Sequence, residues 1–381
     1  MPHWLAEQHT AIRNAVRRFA ESEIAPVSEE LWADEKFPYA IWKNMAKLGF
    51  TGLPYPEEYG GGGGEWLSFA IVLEELARVD CAVANSVMAN STVASLLSKY
   101  GTHEQKTAWL APILDGRQVG AIGLSEPNAG SDAANISTRA TLEEGQWIID
   151  GAKTFISNSG TDVTGPVVIA AVTGTRPDGR KEISNFIVPD GTPGFHYGRK
   201  LRKIGWRASS TYELFFQHCA IPAANLLGER GAGLRQTLAQ ISTGRIFIGV
   251  LALGILQGSL DRSIDYMKSR HAFGKPISEF QALQFKIADM ATHAQAARLM
   301  LYDAAALKDA DQPFNQQASM AKLFATERAM EAAHQALQIH GGYGVMSEFP
   351  VSRAFGDAKV LEIVEGTSEI QRLIISRELL A

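Results

Sequence analysis

The chain has 381 residues, enough for two or three domains at roughly 150 residues each. Lys and Arg number 36 against 41 Asp and Glu, and the net charge of −5 excludes a protein held on nucleic acid by a concentrated basic face. Hydrophobic residues at 46% and charged residues at 20% exclude a disordered chain, and two cysteines exclude a disulfide scaffold or a thiolate metal cage.

Cys81 and Cys219 read as reduced core thiols, and no metal site is expected. The start, Met1 to Glu7, has no positively charged region leading into an apolar one. The longest apolar run, Ile246 to Leu256, has 11 residues against the ~20 that span a bilayer, so it reads as a buried core helix. A cytoplasmic protein without a membrane span is expected.

In chain order, residues 1–115 read as a helical domain, with helices near 5–24, 38–48, 65–79, 84–100 and 103–114. Breaks fall at Pro26, Pro38, Pro54 and the run Gly60 to Gly64, where helix is costly. That run lacks the Lys-Ser/Thr and the preceding strand of a phosphate loop and reads as a flexible surface turn. From 116 to 228 short β-rich runs alternate with turn signals such as Glu143-Glu144-Gly145: Val119–Leu124, Gln146–Ser157, Pro166–Val172, Asn185–Val188 and Tyr212–Phe216. This is the texture of a small antiparallel barrel or sandwich. From 229 to 381 helices return at about 230–270, 280–308 and 314–340. Leu283, Ile287, Met290, Ala294, Ala297 and Leu301 form one apolar stripe, which implies a helix bundle. The fold class is α+β: helices, then strands, then helices, without the strand–helix alternation of a parallel sheet.

Three constellations carry candidate chemistry. In Gly123 to Asp132 an apolar strand runs into a Pro/Asn/Gly/Ser turn. It fits either an ordinary β-turn or a cradle of backbone N–H groups for a flat polar ring or a phosphate. In Gln338-Ile339-His340-Gly341-Gly342-Tyr343-Gly344 the glycines allow close approach to a ligand, or simply end a helix, and His340 reads as structural. In Val364-Glu365-Gly366-Thr367-Ser368-Glu369-Ile370-Gln371, Ser368 and Gln371 fit a capping box, which sets Glu365 just before a helix. Apolar walls would raise its pKa toward that of a general base, while a plain helix-start acid fits the local sequence equally well.

Together and in this order, these segments resemble the acyl-CoA dehydrogenase family of flavoenzymes over nearly the whole chain. The matching blocks are Ser125-Glu126-Pro127 with Gly130-Ser131-Asp132, Arg270 to Pro276 with Gln281, and Gln338 through Arg353 to Arg372. The resemblance implies a helical N-terminal domain, a β-barrel or sandwich middle domain and a C-terminal four-helix bundle, in a homotetramer with non-covalent FAD. By that likeness Ile122, Leu124, Ser125, Gly130, Ser131, Phe155, Ser157, Thr367 and Glu369 would meet the flavin. Arg270, Phe273, Gln281, Gln338 and Gly342 would meet its diphosphate and adenine, some of them across a subunit boundary.

Glu365 matches the family's base, which removes the pro-R α-proton of an acyl-CoA while the β-hydride passes to flavin N5. The thioester carbonyl would be polarised by the Glu365 N–H and a ribityl hydroxyl. Gly244 stands where other members carry the base, so no carboxylate competes there. Ser131, Ser242, Arg245, Val364, Gly366 and Arg377 match positions near the substrate. Ser242 replaces a common acid, which leaves an acyl carrier protein thioester as a second carrier, and the expected acyl group is short- to medium-chain, or branched or cyclic, for which the small Val364 implies room. Gly356 replaces a common Arg, without a functional account. The implied acceptor is an electron-transfer flavoprotein. An O₂-using oxidase and a non-catalytic thioester-binding protein are the alternatives, and the intact Glu365 weighs against the second.

Overall fold

The computed structural model describes residues 5–380. Met1 to Trp4, part of the stretch read above for a leader, lie outside the described residues. The first helices are α1 (Glu7–Phe19), α2 (Ser28–Asp34), α3 (Tyr39–Lys47), α4 (Trp66–Val79), α5 (Cys81–Tyr100), α6 (His103–Gln105) and α7 (Ala111–Leu114). The helix expected over 5–24 relaxes into a π turn at Ala20–Ile24, and the one expected over 103–114 is interrupted by another at Lys106–Leu110. The break at Pro26 is real but brief. α2 follows at once, and its buried Ser28 donates to Asp80, which also caps α5 by accepting from the N–H groups of Ala82 and Val83.

The glycine run is not a loose turn. The N–H groups of Gly61 to Gly64 donate to the carbonyls of Pro56, Gly52, Tyr55 and Leu53. A Cβ on Gly61 would stand 2.2 Å from the Tyr55 oxygen, so glycine is required by close backbone approach.

Eight strands follow: β1 (Val119–Gly123), β2 (Arg139–Glu143), β3 (Gln146–Ser157), β4 (Thr164–Thr175), β5 (Lys181–Val188), β6 (Phe195–Lys200), β7 (Thr211–Pro222) and β8 (Leu226–Leu227). They form one sheet in the order β6-β7-β3-β2-β4-β5-β8, with β1 against β4. The sheet is mixed, not wholly antiparallel: β1 and β2 both run parallel to β4. Its core holds Trp147, Ile149, Phe186, Phe195 and Phe216. Both cysteines are free and buried.

The C-terminal helices are α8 (Gly233–Ser269), α9 (Gln281–Asp309), α10 (Asn315–His340), α11 (Pro350–Leu361) and α12 (Ser368–Leu380). A two-residue hairpin, β9 (His271–Ala272) and β10 (Lys275–Pro276), separates α8 from α9. α8 packs against α4, α5, α9, α10 and α11, and the run Ile246 to Leu256 is buried throughout. By length and composition α8 is apolar enough to cross a membrane, yet 72% of its most apolar window is consumed by this core. α10 meets it through a small-residue face, Ala318, Ala321, Ala325, Ala329 and Ala333, which lets the two backbones come close. The expected stripe on α9 is buried from Met290 through Leu301, whereas Leu283 and Ile287 are only partly covered.

The helical core is continuous from Val16 to Leu361. Inside it lies an ionic network. Glu74 pairs with Arg13 at 3.1 Å and Arg298 at 2.8 Å, Glu75 pairs with Arg17 at 2.9 Å, and Tyr302 donates to Glu74. The structure also accounts for Gly356. A Cβ there would stand 2.2 Å from the carbonyl oxygen of Ile204, and one on Gly205 2.4 Å from the Gly356 carbonyl. The loop after β6 crosses α11 at backbone contact, where an arginine would not fit.

Candidate active site

Glu365 lies in the turn between α11 and α12, at φ 54°, followed by Gly366 at φ 94°. A left-handed non-glycine residue stores roughly 1–3 kcal/mol of strain, which the surroundings must hold in place. Here the Gly366 carbonyl accepts from Lys322 Nζ and from Gln371 Nε2, each at 2.8 Å. The Glu362 carbonyl accepts from the Ser368 N–H at 3.1 Å. The cap of α12 differs from the sequence expectation. Thr367 Oγ1, not Ser368, accepts the Ile370 N–H at 3.3 Å, because Ser368 is already the first helical residue and is buried. Gln371 folds back onto Gly366 instead of closing a capping box.

The Glu365 carboxylate rests against α8. A Cβ on Gly244 would stand 2.4 Å from Oε2, so the absent side chain makes the space that the acid occupies. Oε2 is shut from solvent and no group donates to it. Burial pushes the pKa up to about 7, while the positive charges of Arg245 and Lys322 pull the other way. Among the described residues the Glu365 N–H has no acceptor.

Arg245 and Ser242 converge on Asn315 at the start of α10. Arg245 donates to Asn315 Oδ1 at 2.7 Å, and the Ser242 hydroxyl lies 2.9 Å from the same atom. Asn315 in turn donates to Glu378 of α12. Arg377, next in sequence, is exposed and makes no bond to this cluster. Val364 is half-buried and packs on the helical core.

The Ser125–Asp132 segment follows β1. The N–H groups of Glu126 and Ala129 each donate to the other's carbonyl at 3.0 Å, closing a tight turn. Glu126 is structural. It accepts from the Ser137 and Thr138 N–H groups and pairs with buried Lys153 at 2.7 Å. Ser125 accepts from the Thr154 N–H at 3.0 Å, which brings the turn beside Phe155 and Ser157 of β3. Phe155 is 70% exposed at φ 63°, Gly130 and Ser131 are open, and Ile122, Leu124, Ser125 and Ser157 are partly exposed.

A second group surrounds an open cavity of about 680 Å³ lined by Arg270, Phe273, Gln338 and Gly342. Phe273 is 96% exposed at φ 54°. His340 is structural: Nδ1 lies 2.8 Å from the Ala336 carbonyl, and the ring stacks on Tyr266 at 4.2 Å. Gln281 opens α9, exposed and outside this lining, although Phe280 and Leu283 on either side contribute to it. No residue of the Ser125–Ser157 group lines this cavity. Thr367 and Glu369 share the turn and first helical residues beside Glu365, with no hydrogen bond to either group.

Sequence reasoning missed Asn315 and Lys322. Lys322 left a signal: helical spacing puts it on the face of Ala318, Ala325 and Ala329, where a charge is out of place.

Models of the acyl-CoA dehydrogenase N-terminal, middle and C-terminal domains match residues 6–117, 121–219 and 231–380. The probable acyl-CoA dehydrogenase YngJ of Bacillus subtilis is 46% identical over 99% of both chains. The mitochondrial short-chain specific acyl-CoA dehydrogenase of Rattus norvegicus is 43% identical over 99% of this chain and 91% of its own. The solved butyryl-CoA dehydrogenase of Megasphaera elsdenii superposes with a TM-score of 0.95 at 38% identity over the whole of both chains. The chain belongs to the acyl-CoA dehydrogenase family. It is an enzyme, an oxidoreductase of the acyl-CoA dehydrogenase type. The residues present fit the family's FAD. Gly342, with open space at its Cβ position, lines the same cavity as Arg270, which suits a diphosphate, and the exposed Phe155, next to the Thr154 contact with Ser125, offers a flat apolar face to a ring.

Proposed function

We propose that this protein oxidises a short-chain acyl-CoA to the 2-enoyl-CoA, with Glu365 as the base. One observation carries the reading: a carboxyl group poised near neutral pH, its Oε2 buried without a partner, in the turn between α11 and α12. Such a group can take a proton that a solvated carboxylate, fully ionised and well hydrated, would take poorly. The free Glu365 N–H is available to donate to the thioester oxygen and so acidify the α-carbon. Ser242, Arg245 and Asn315 present polar groups to the carrier arm, and the small side chain of Val364 leaves room beside the α-carbon. The names of the relatives, short-chain specific and butyryl-CoA, support a short acyl group.

FAD, when bound, supplies the hydride acceptor. Ile122, Leu124, Ser125, Gly130, Ser131, Phe155 and Ser157, with Thr367 and Glu369, would hold its ring. Arg270, Phe273, Gln338 and Gly342 would hold diphosphate and adenine. The cavity of the second group has no residue of the first in its lining, which supports their serving one cofactor across subunits of a homotetramer. Reduced enzyme would then pass electrons to an electron-transfer flavoprotein.

The test is anaerobic titration of the flavin-loaded enzyme with butyryl-CoA, comparing the parent with Glu365→Gln. The variant should keep flavin and substrate binding and lose bleaching of the oxidised flavin band by at least about a hundredfold. Near-parental bleaching would move the base elsewhere.

A further inference from the structure

Lys322 is the most enclosed charge around this site. Its side chain is fully buried, in the middle of the small-residue face of α10, and it forms no ion pair among the described residues. A buried ammonium without a carboxylate partner is costly unless its donors are used. Two of them are. Nζ donates to the Gly366 carbonyl at 2.8 Å and reaches the Glu362 carbonyl at 3.4 Å. Those carbonyls bracket Glu365 on both sides, so the contacts span the left-handed pair that aims the acid at Gly244.

We propose that Lys322 is a positioning residue for Glu365: its ammonium pins the strained turn by the two flanking carbonyls and supplies the buried positive charge that keeps the acid ionisable at working pH. The proposal rests on the reading of Glu365 as the base. Gln371 shares the first role, since it donates to the same Gly366 carbonyl at 2.8 Å, but it is uncharged and cannot share the second. The charged groups facing Glu365 are Arg245 from α8 and Lys322 from α10. Those facing Lys322 are Glu365, Glu362, Arg245 and Glu369. Arg245 is already engaged with Asn315, which leaves Lys322 as the cation whose hydrogen bonds go to the turn itself.

Removing a nearby cation disfavours the carboxylate form, so the pKa of Glu365 rises and the base is protonated over a wider acid range. The test uses flavin-loaded enzyme and butyryl-CoA, following kcat against pH for the parent, Lys322→Met and Lys322→Arg, with Glu365→Gln beside them. Lys322→Met should move the acid limb up by about one pH unit and lower turnover at pH 7 roughly fivefold, with KM within about twofold. Lys322→Arg keeps the charge and displaces the donor, so its limb should stay with the parent while kcat falls. A purely packing role would lower thermal stability and leave the limb in place, and that outcome in Lys322→Met overturns the proposal. If Lys322→Met does not fold, Lys322→Gln, which keeps a donor without the charge, takes its place: an acid limb raised by about one pH unit supports the proposal and an unmoved limb overturns it. If Glu365→Gln turns over normally, the base assignment itself has failed. If Glu365→Gln is inactive and the Lys322→Met limb is unmoved, only the role of Lys322 has failed.

Discussion

Gly244→Ala puts the geometry of the proposed base to a quantitative test. The new Cβ would stand 2.4 Å from Glu365 Oε2 and 2.9 Å from its Cδ, against about 3.4 Å for ordinary contact, so the carboxylate must retreat by about 1 Å. The atom in the way is the far end of a three-torsion side chain, not backbone, and it can swing aside without moving α8. Stability should therefore hold or rise, because alanine in a helix interior is favoured over glycine by about 1 kcal/mol. Catalysis should suffer, since an error of about 1 Å at a reacting group can cost on the order of a hundredfold. Steady-state oxidation of butyryl-CoA with a dye acceptor should show kcat down tenfold to a hundredfold, with flavin content unchanged. A kcat within threefold of the parent at unchanged stability would mean that the working acid does not rest over Gly244. A loss of more than about 1 kcal/mol of stability would mean that α8, not the side chain, absorbs the overlap.

Glu365 also sets a pH dependence of stability. Its pKa of about 7 in the fold, against 4.5 in the unfolded chain, makes the native state the tighter proton binder, so stability falls between pH 4.5 and 7 and stays lower above. Glu365→Gln should thus be more stable than the parent at pH 8, by up to about 3 kcal/mol, with the gap closing by pH 4.5 in denaturant titrations; a pH-independent gap would refute it. Glu74→Ala leaves the Arg298 guanidinium buried without a carboxylate, and Arg13 with Glu75 alone, and should cost about 3–5 kcal/mol. The exposed pair Arg328–Glu331, cut by Arg328→Ala, should cost under about 1 kcal/mol, and equal losses from the two would contradict the burial argument. Gly356→Ala drives a methyl into the Ile204 carbonyl and should cost about 1–3 kcal/mol by thermal unfolding, whereas a neutral result would show that the loop after β6 is free to lift.

What could be read from the sequence was what short-range pattern encodes. The run Ile246 to Leu256 and the part of the α9 stripe from Met290 to Leu301 share one destination, the core. The turn at Glu144-Gly145 announced itself by residue type, and both residues have positive φ. β2, β6 and β8 escaped notice because β2 is short and almost wholly exposed, β6 is a half-solvated edge strand rich in polar side chains, and β8 has two residues. The setting of Glu365 is the harder case. Its walls come from Gly244 on α8 and Lys322 on α10, and the Lys322 contact to Gly366 spans 44 residues. Nothing within a window of one helix reports that meeting. Gln281 and Arg377 show the converse. Both match family positions, yet on one chain each is exposed and apart from its intended neighbours.

The network around Glu74 has a consequence for how the chain is made. Arg13 meets Glu74 across 61 residues, but Arg298 meets it across 224 and Arg13 meets Tyr302 across 289. At about 5–20 residues per second, a ribosome that has delivered Glu74 needs roughly 10–45 s more to deliver Arg298. During that interval the nascent N-terminal helices hold two acidic side chains destined for full burial, and an apolar face whose cover, α8 and α9, has not yet emerged. The first third of the protein is therefore a passenger during its own synthesis. A chain that stalls before residue 298 presents the quality-control machinery with sticky, half-neutralised helices, and not with a finished domain.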